Sequence, residues 1–260
     1  MLEKPTVKKN VGIITGKLRK KKIKVLVNEI SPDTALVVSM GGDGTMLKTA
    51  RTVSGRNLPV LGINLGQMGF LTESNVEGCI DYIEKALTGR LKTEERIMIE
   101  ARTRLKNAVE KKYIALNDVV VRNGRFARVI SLSLEINNKY VADYVADGLI
   151  ISTPTGSTAY SLASGGPIVS PDLPVLVVTP ICPHTLTFRS LVVSCKDEIS
   201  IKVKSNHNEV VLSMDGQENA PLSIGDTVRI RMSKNKLKLI TDRKNNFYNI
   251  LRTKLKWGER

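Results

Sequence analysis

The junction at residues 34–45 constrains this chain more than any other segment. Residues 34–40 (TALVVSM) form a short, almost fully apolar run, as expected of a strand buried in a parallel sheet. The run empties into Gly41-Gly42-Asp43-Gly44-Thr45, after which Met46, Leu47, Ala50 and Val53 recur at helical spacing. Strand, glycine turn and helix in succession predict an open, Rossmann-like α/β sheet, in which ligands bind beyond the carboxyl ends of the strands. Glycines at such a turn let backbone N–H groups converge on an anion without Cβ interference, and the helix N-terminus adds its dipole. Gly41, Gly42, Gly44 and Thr45 are therefore candidates for a phosphate nest. Asp43 is the odd member, because a carboxylate repels phosphate. Two explanations stand: it accepts a proton from a hydroxyl or contacts a metal, or it caps the helix at Thr45.

The surrounding pattern alternates strands and helices. Residues 11–14, 24–27 and 58–63 are expected strands, and Asn75 caps a helix with Val76, Cys79, Ile80, Ile83 and Leu87 on one face, closed by Gly89. Two rival glycine motifs fail. Residues 12–18 have three residues between the glycines instead of four, with Leu18 where a P-loop needs a hydroxyl. Gly42-Asp43-Gly44 continues to Leu47 where a dinucleotide fingerprint requires Gly or Ala. The glycine-rich stretch 62–69 either flanks the same crevice or simply turns the chain.

From about Glu95 the period changes to two. Asn137-Asn138 sits between two strand-like runs as a hairpin turn. Further on, Ile199/Ile201/Val203, Val228/Ile230/Met232 and Leu237/Leu239 alternate. This half reads as an antiparallel β-sandwich. Residues 245–257 (NNFYNILRTKLKW) are helical again and are expected to pack back on the first domain. For 260 residues two domains are the expectation: 1–95 as the α/β domain, with 236–260 returning to it, and 96–235 as the sandwich.

Charge narrows the partners. The net is +15, and residues 1–30 and 234–260 together supply +14 of it. Such a balance fits either a nucleic-acid footprint or a solvated face near a site for small polyanions. With only 11 Phe, Tyr and Trp to stack on bases, small anions are the expectation and no nucleic-acid partner is. No apolar run reaches the ~18–20 residues of a membrane helix. Residues 1–5 lack a secretory pattern. Three widely spaced cysteines, Cys79, Cys182 and Cys195, disfavour a disulfide or zinc framework and suit the cytoplasm.

Two further regions carry chemistry. Residues 147–167 run from an apolar strand into a turn dense in Pro, Gly and hydroxyls, which offers donors and close backbone approach to a polar ligand or else serves as a structural turn. Asn117-Asp118 puts an amide and a carboxylate side by side in a strand, on opposite faces. The histidines, His184 and His207, lack partner motifs and are expected to be structural.

Taken together, GGDGT at 41–45, NLGQMGFLTE at 64–73, the pair at 117–118, DGLIISTPTGSTAYSLASGGPIVSP at 147–171 and DGQ at 215–217 resemble the NAD kinase family. The long central motif is specific; GGDGT alone also occurs in diacylglycerol and sphingosine kinases. The resemblance implies an α/β domain, a β-sandwich domain and a homodimer or homotetramer whose sites lie at a subunit interface. It implies transfer of a phosphoryl group from ATP or inorganic polyphosphate, with Mg²⁺, to the 2′-hydroxyl of the adenosine ribose of NAD. By position it makes Asp43 the general base with Gly44 beside it. It makes Asn117, Asp118, Arg128, Asp147, Thr155, Thr158, Ala159, Tyr160, Ser161, Leu162, Ala163 and Gln217 contacts to NAD. Many members carry Glu where Asp118 stands, and Val145 replaces a basic contact that some members use. The resemblance assigns no metal ligands.

Overall fold

The computed structural model describes residues 5–66, 69–104, 110–124, 128–205, 210–242 and 246–257. His207, Asn245 and the Gln67-Met68 step of the second glycine stretch lie outside them. By its internal contacts the chain divides into two units, Met1–Glu95 with Leu237–Arg260, and Arg96–Lys236.

The first unit begins with helix α1 (Pro5–Lys20). Val7, Val11, Ile14 and Leu18 form one apolar stripe along it. Ile14 and Leu18 are buried in a cluster with Leu61, Ile63, Cys79, Ile83 and Ile240. The strand expected at residues 11–14 is therefore corrected to helix: the stripe repeats over three turns, and that period outweighs the local β-prone Ile-Ile pair. Next come β1 (Val37–Met40), α2 (Asp43–Val53), β2 (Pro59–Asn64), the short β3 (Ser74–Asn75), α3 (Cys79–Leu87) and β4 (Lys92–Arg96). The β1–β2 and β2–β3 pairs are parallel, as the alternating pattern predicts. Asn75 lies ahead of α3 rather than capping it, its Oδ1 accepting from Gly78 N at 3.1 Å.

Residues 24–27 are not a strand. A strand exists only through a hydrogen-bonded neighbour, and β1 pairs with β2 alone among the described residues. Residues 24–27 instead help line, with α1, β1 and α2, a cavity of about 460 Å³.

The second unit holds β5 (Ile99–Arg104), β6 (Lys111–Ala115), β7 (Asp118–Asn123), β8 (Ile130–Ile136), β9 (Lys139–Ala146) and β10 (Gly148–Ser152). A 3-10 turn (Thr155–Thr158) and the one-turn helix α4 (Tyr160–Ala163) follow. Then come β11 (Val175–Ile181), β12 (Leu191–Ser194), β13 (Ile199–Val203), β14 (Val210–Met214), β15 (Glu218–Leu222) and β16 (Thr227–Met232). Two six-stranded sheets result, ordered β12-β11-β10-β7-β14-β15 and β6-β5-β16-β13-β8-β9. Alternate residues of both, among them Val119, Val121, Leu149 and Ile151 from one and Leu132, Leu134, Ile199 and Ile201 from the other, share one buried cluster. This is a sandwich. Asn137 and Asn138, at φ 52° and 61°, make the β8–β9 hairpin turn, where two left-handed residues match the strand twist.

The chain then re-enters the first unit as β17 (Leu237–Thr241) and α5 (Phe247–Leu255). β17 runs parallel to β2 and lies between β2 and β4. The return is tied by side chains: Tyr82 donates to Asp242 Oδ2 at 2.9 Å, and Asp242 N donates to Glu73 Oε2 at 3.1 Å. Asn246 caps α5 by accepting from Asn249 N, and Leu251 on its inner face is buried. No helix among the described residues is long and apolar enough to cross a membrane.

Candidate functional site

The first unit carries the glycine turn. Gly41 sits at φ 155°, and a Cβ there would lie 2.2 Å from Thr45 Oγ1. Gly42 occupies the cap position of α2 with no side-chain bond, so Asp43 is the first residue of the helix and not its cap. Its carboxylate is engaged elsewhere. Oδ2 accepts from Phe70 N and Oδ1 from Leu71 N, each at 3.0 Å. The second glycine stretch therefore folds over the first, with Gly69 so close that a Cβ would lie 2.1 Å from Asp43 Oδ1. That stretch is braced from within, because Gly66 N donates to Asn64 Oδ1 and Gly69 N to Thr72 Oγ1. A carboxylate offers about four acceptor positions, and the two backbone bonds occupy half of them. Asp43 is half-buried and Gly44 exposed. A held carboxylate at a bare helix N-terminus is equipped both to accept a hydroxyl proton and to lie beside an anion.

The second unit carries the other candidates. Asn117 and Asp118 stand at the head of β7. The Asn117 Oδ1 is buried without a hydrogen-bond partner, an open acceptor that a bound group would satisfy. Asp118 is buried, and burial first, then the nearby Asp215 charge, push its carboxyl up to about 7. The hydroxyl-rich turn is mostly self-satisfied. Thr153 donates to Leu116 O at 2.6 Å, Ser157 to Pro154 O at 2.7 Å, and Ser161 shares 2.9 Å with Thr179 on β11. Gly156 lets this turn pack on the Asn117 peptide, since a Cβ would lie 2.2 Å from Asn117 O. The hydroxyls of Ser157 and Ser161 thus build the loop, and Ser161 is fully buried. Thr155 is buried, Thr158 donates to Thr155 O at 3.3 Å, and Ala159 and Leu162 are half-buried. Tyr160 and Ala163 are exposed.

Asn123, which the sequence reading passed over, joins two more candidates. Its Nδ2 donates to Asp147 Oδ1 at 3.2 Å and to Arg128 O at 3.4 Å. Gln217 lies exposed on the β14–β15 turn, and Val145 is exposed on β9. The lone His184 uses its backbone N–H on Val145 O. Asp215, the first residue of the DGQ triplet, and the Phe70 and Leu71 amides, within NLGQMGFLTE, carry no mark of these roles in the sequence. Backbone donors leave no trace in residue type. Among the described residues no group of three His, Cys, Asp or Glu side chains is placed to hold a metal.

A carboxylate-bearing glycine turn on a parallel sheet is thus continued in the same chain by a β-sandwich that carries a buried amide oxygen without a partner. Residues 3–91 match the ATP-NAD kinase N-terminal domain, and residues 116–241 match the ATP-NAD kinase C-terminal domain. The NAD kinase of Geobacter metallireducens is 43% identical over 236 residues, 90% of this chain and 83% of that protein. That of Citrifermentans bemidjiense is 45% identical over 233 residues, 89% and 81%. Among solved structures, yeast NADH kinase complexed with NADH superposes with a TM-score of 0.89 at 25% identity, covering 100% of this chain and 86% of that one. An NAD kinase from Archaeoglobus fulgidus in complex with ATP gives 0.80 at 26%, covering 94% and 95%. The chain belongs to the NAD kinase family and is an enzyme of that kind.

Proposed function

We propose that this enzyme transfers the γ-phosphoryl group of ATP to the 2′-hydroxyl of the adenosine ribose of NAD, with Asp43 as the general base. The 2′-oxygen forms the new bond to phosphorus, the bond from phosphorus to the β–γ bridging oxygen breaks, and the hydroxyl proton passes to Asp43. The observation that carries the base assignment is the Asp43 carboxylate itself: two amides fix it, and it retains acceptor capacity on both oxygens. Phosphoryl transfer asks mainly for positioning and for neutralisation of charge. The four-amide nest expected of Gly41, Gly42, Gly44 and Thr45 is not formed as such, because the Gly41 amide is bound to Ile63 O and the Thr45 amide to Gly42 O; the turn serves the donor's phosphates through close backbone approach at Gly42 and Gly44 and through the dipole of α2. Asn117, Asp118, Arg128, Asp147 and Gln217, with the loop Thr155, Thr158, Ala159, Tyr160, Ser161, Leu162 and Ala163, hold the dinucleotide. The open Asn117 Oδ1 is the best supported of these contacts. For Ser161 the contact runs through its backbone, its hydroxyl being bound to Thr179.

Mg²⁺ held on the donor's phosphates would neutralise the charge that develops there during transfer. ATP is favoured over polyphosphate because the Archaeoglobus relative is solved with ATP. The same proposal extends to a cytoplasmic homodimer or homotetramer with no membrane or nucleic-acid partner. The test is NADP formation followed with an NADP-specific dehydrogenase, from NAD or NADH, with Mg²⁺ and with ATP or polyphosphate in parallel. Robust NADP formation from ATP is expected. Phosphorylation of diacylglycerol or sphingosine with no NADP from either donor would overturn the assignment.

A further inference from the structure

Asp215 is buried, at 8% exposure, where β14 turns into β15. Its φ of 51° and the 63° of Gly216, with Gln217 N donating to Met214 O at 2.9 Å, make a tight hairpin turn of the kind Asp-Gly favours. The Asp-Gly backbone alone suffices for such a turn. The Asp215 carboxylate reaches across to the head of β7 instead. Its Oδ1 accepts from Asn117 N at 2.8 Å and from Asp118 N at 3.2 Å, and its Oδ2 accepts from Leu116 N at 3.2 Å. Its own N–H donates to Asp118 O at 3.0 Å. Three successive peptide N–H groups converge on one carboxylate, which fixes the orientation of the peptide planes at 116–118. The segment so fixed carries the unpartnered Asn117 Oδ1 and the buried Asp118 carboxyl. Placing a second carboxylate beside Asp118 is electrostatically unfavourable, and an asparagine would make the same turn. The arrangement is explained by what the clamp holds in place.

Resting on the reading that this pair holds the dinucleotide, we propose that Asp215 is a positioning residue for NAD: it clamps residues 116–118 and so aims the Asn117 amide and the Asp118 carboxyl at the ligand without touching it. A second consequence follows from its charge. Asp118 lies on β7 with Ser152 of β10 opposite it and the Asp215 turn from β14 on its other side. Among the described residues Asp215 is the charged group that acts on it. The ionised Asp118 accepts from a ribose hydroxyl, so NAD affinity improves as pH rises through the Asp118 transition, which burial raises first and the Asp215 charge raises further.

The experiment is NAD binding by calorimetry without donor, together with kcat and KM for both substrates between about pH 5.5 and 8.5. The proteins are the wild type, Asp215→Asn, Asp215→Gly, Asp118→Asn and Asn117→Ala. Asn and Gly both accept the left-handed turn, and the Tm of each Asp215 variant is measured so that binding is read on folded protein. In the Asp215 variants a weakening of NAD binding by about 10- to 100-fold is expected, with the KM for ATP within about twofold of wild type. The pH inflection should move to lower pH in Asp215→Asn and vanish in Asp118→Asn. An unchanged NAD affinity in the Asp215 variants, with activity lost only in proportion to unfolded protein, overturns the proposal, and so does an inflection that stays in place. Unchanged affinity in Asn117→Ala and Asp118→Asn is a different failure, that of the dinucleotide reading underneath, and it is seen independently of Asp215.

Discussion

Asp43 decides the chemistry at the scale of a single residue. Replacing it with Asn keeps its shape but turns an amide NH₂ toward Phe70 N or Leu71 N, where an acceptor stood. One buried donor is left facing another, which costs about 1–3 kcal/mol. Loss of the base lowers kcat by roughly 10²–10⁴-fold. Gly69→Ala separates the two effects. It retains the carboxylate but forces the loop away from a position 2.1 Å from Oδ1. Steady-state kinetics should show Asp43→Asn losing far more kcat than Gly69→Ala, with the KM for NAD little changed. Equal losses would assign the effect to the loop, and near-native kcat in Asp43→Asn would remove the residue from the reaction. The sequence marked Asp43 because its type was wrong for a bare phosphate nest. It could not show that Asp43 is tied to amides 27 and 28 residues away, because any residue supplies an N–H there.

At the scale of elements, what was legible was local. The Asn137-Asn138 turn announced itself because left-handed backbone selects residue types. The α1 region misled because a short β-prone pair lies inside a longer helical stripe. Cross-strand chemistry was invisible, and Glu100 on β5 shows why. It accepts from Arg102 on its own strand at 2.7 Å, from Lys112 of β6 at 2.7 Å and from Arg231 of β16 at 2.9 Å, and only sheet order brings those cations together. Burial pushes its carboxyl up, but the bonds from Lys112, Arg102 and Arg231 outweigh burial and hold it at about 2, below the ordinary 4.5. Since the folded value lies below the unfolded one, the stabilisation is complete above about pH 4.5 and is lost as pH falls toward 2. Glu100→Gln should therefore destabilise by roughly 1–3 kcal/mol at neutral pH, with a fall in Tm of several degrees. In urea melts the gap to wild type should shrink steadily from about pH 5 to pH 3. A gap independent of pH would show that packing, not charge, gives Glu100 its effect.

The whole molecule is a polycation whose two basic ends belong, save Lys234 and Lys236, to the first unit, the one that carries the glycine turn. Both proposed substrates are anions, so the field of a +15 chain raises their local concentration, and salt screens that field over a Debye length of about 8–10 Å. Raising ionic strength from about 50 to 300 mM should increase the KM for NAD and for ATP several-fold while kcat changes little. A flat KM across that range would show that the charge serves something else. The place of β17 between β2 and β4 reaches further, into how the chain is made. A ribosome emits the first part of that sheet, then the whole of Arg96–Lys236, and only then the strand that fills the gap. At the usual pace of synthesis the delay is roughly seven to thirty seconds. Throughout it the sandwich is free to fold while the nascent α/β sheet waits with β2 and β4 unbridged, so the stretch written first is the last to be finished.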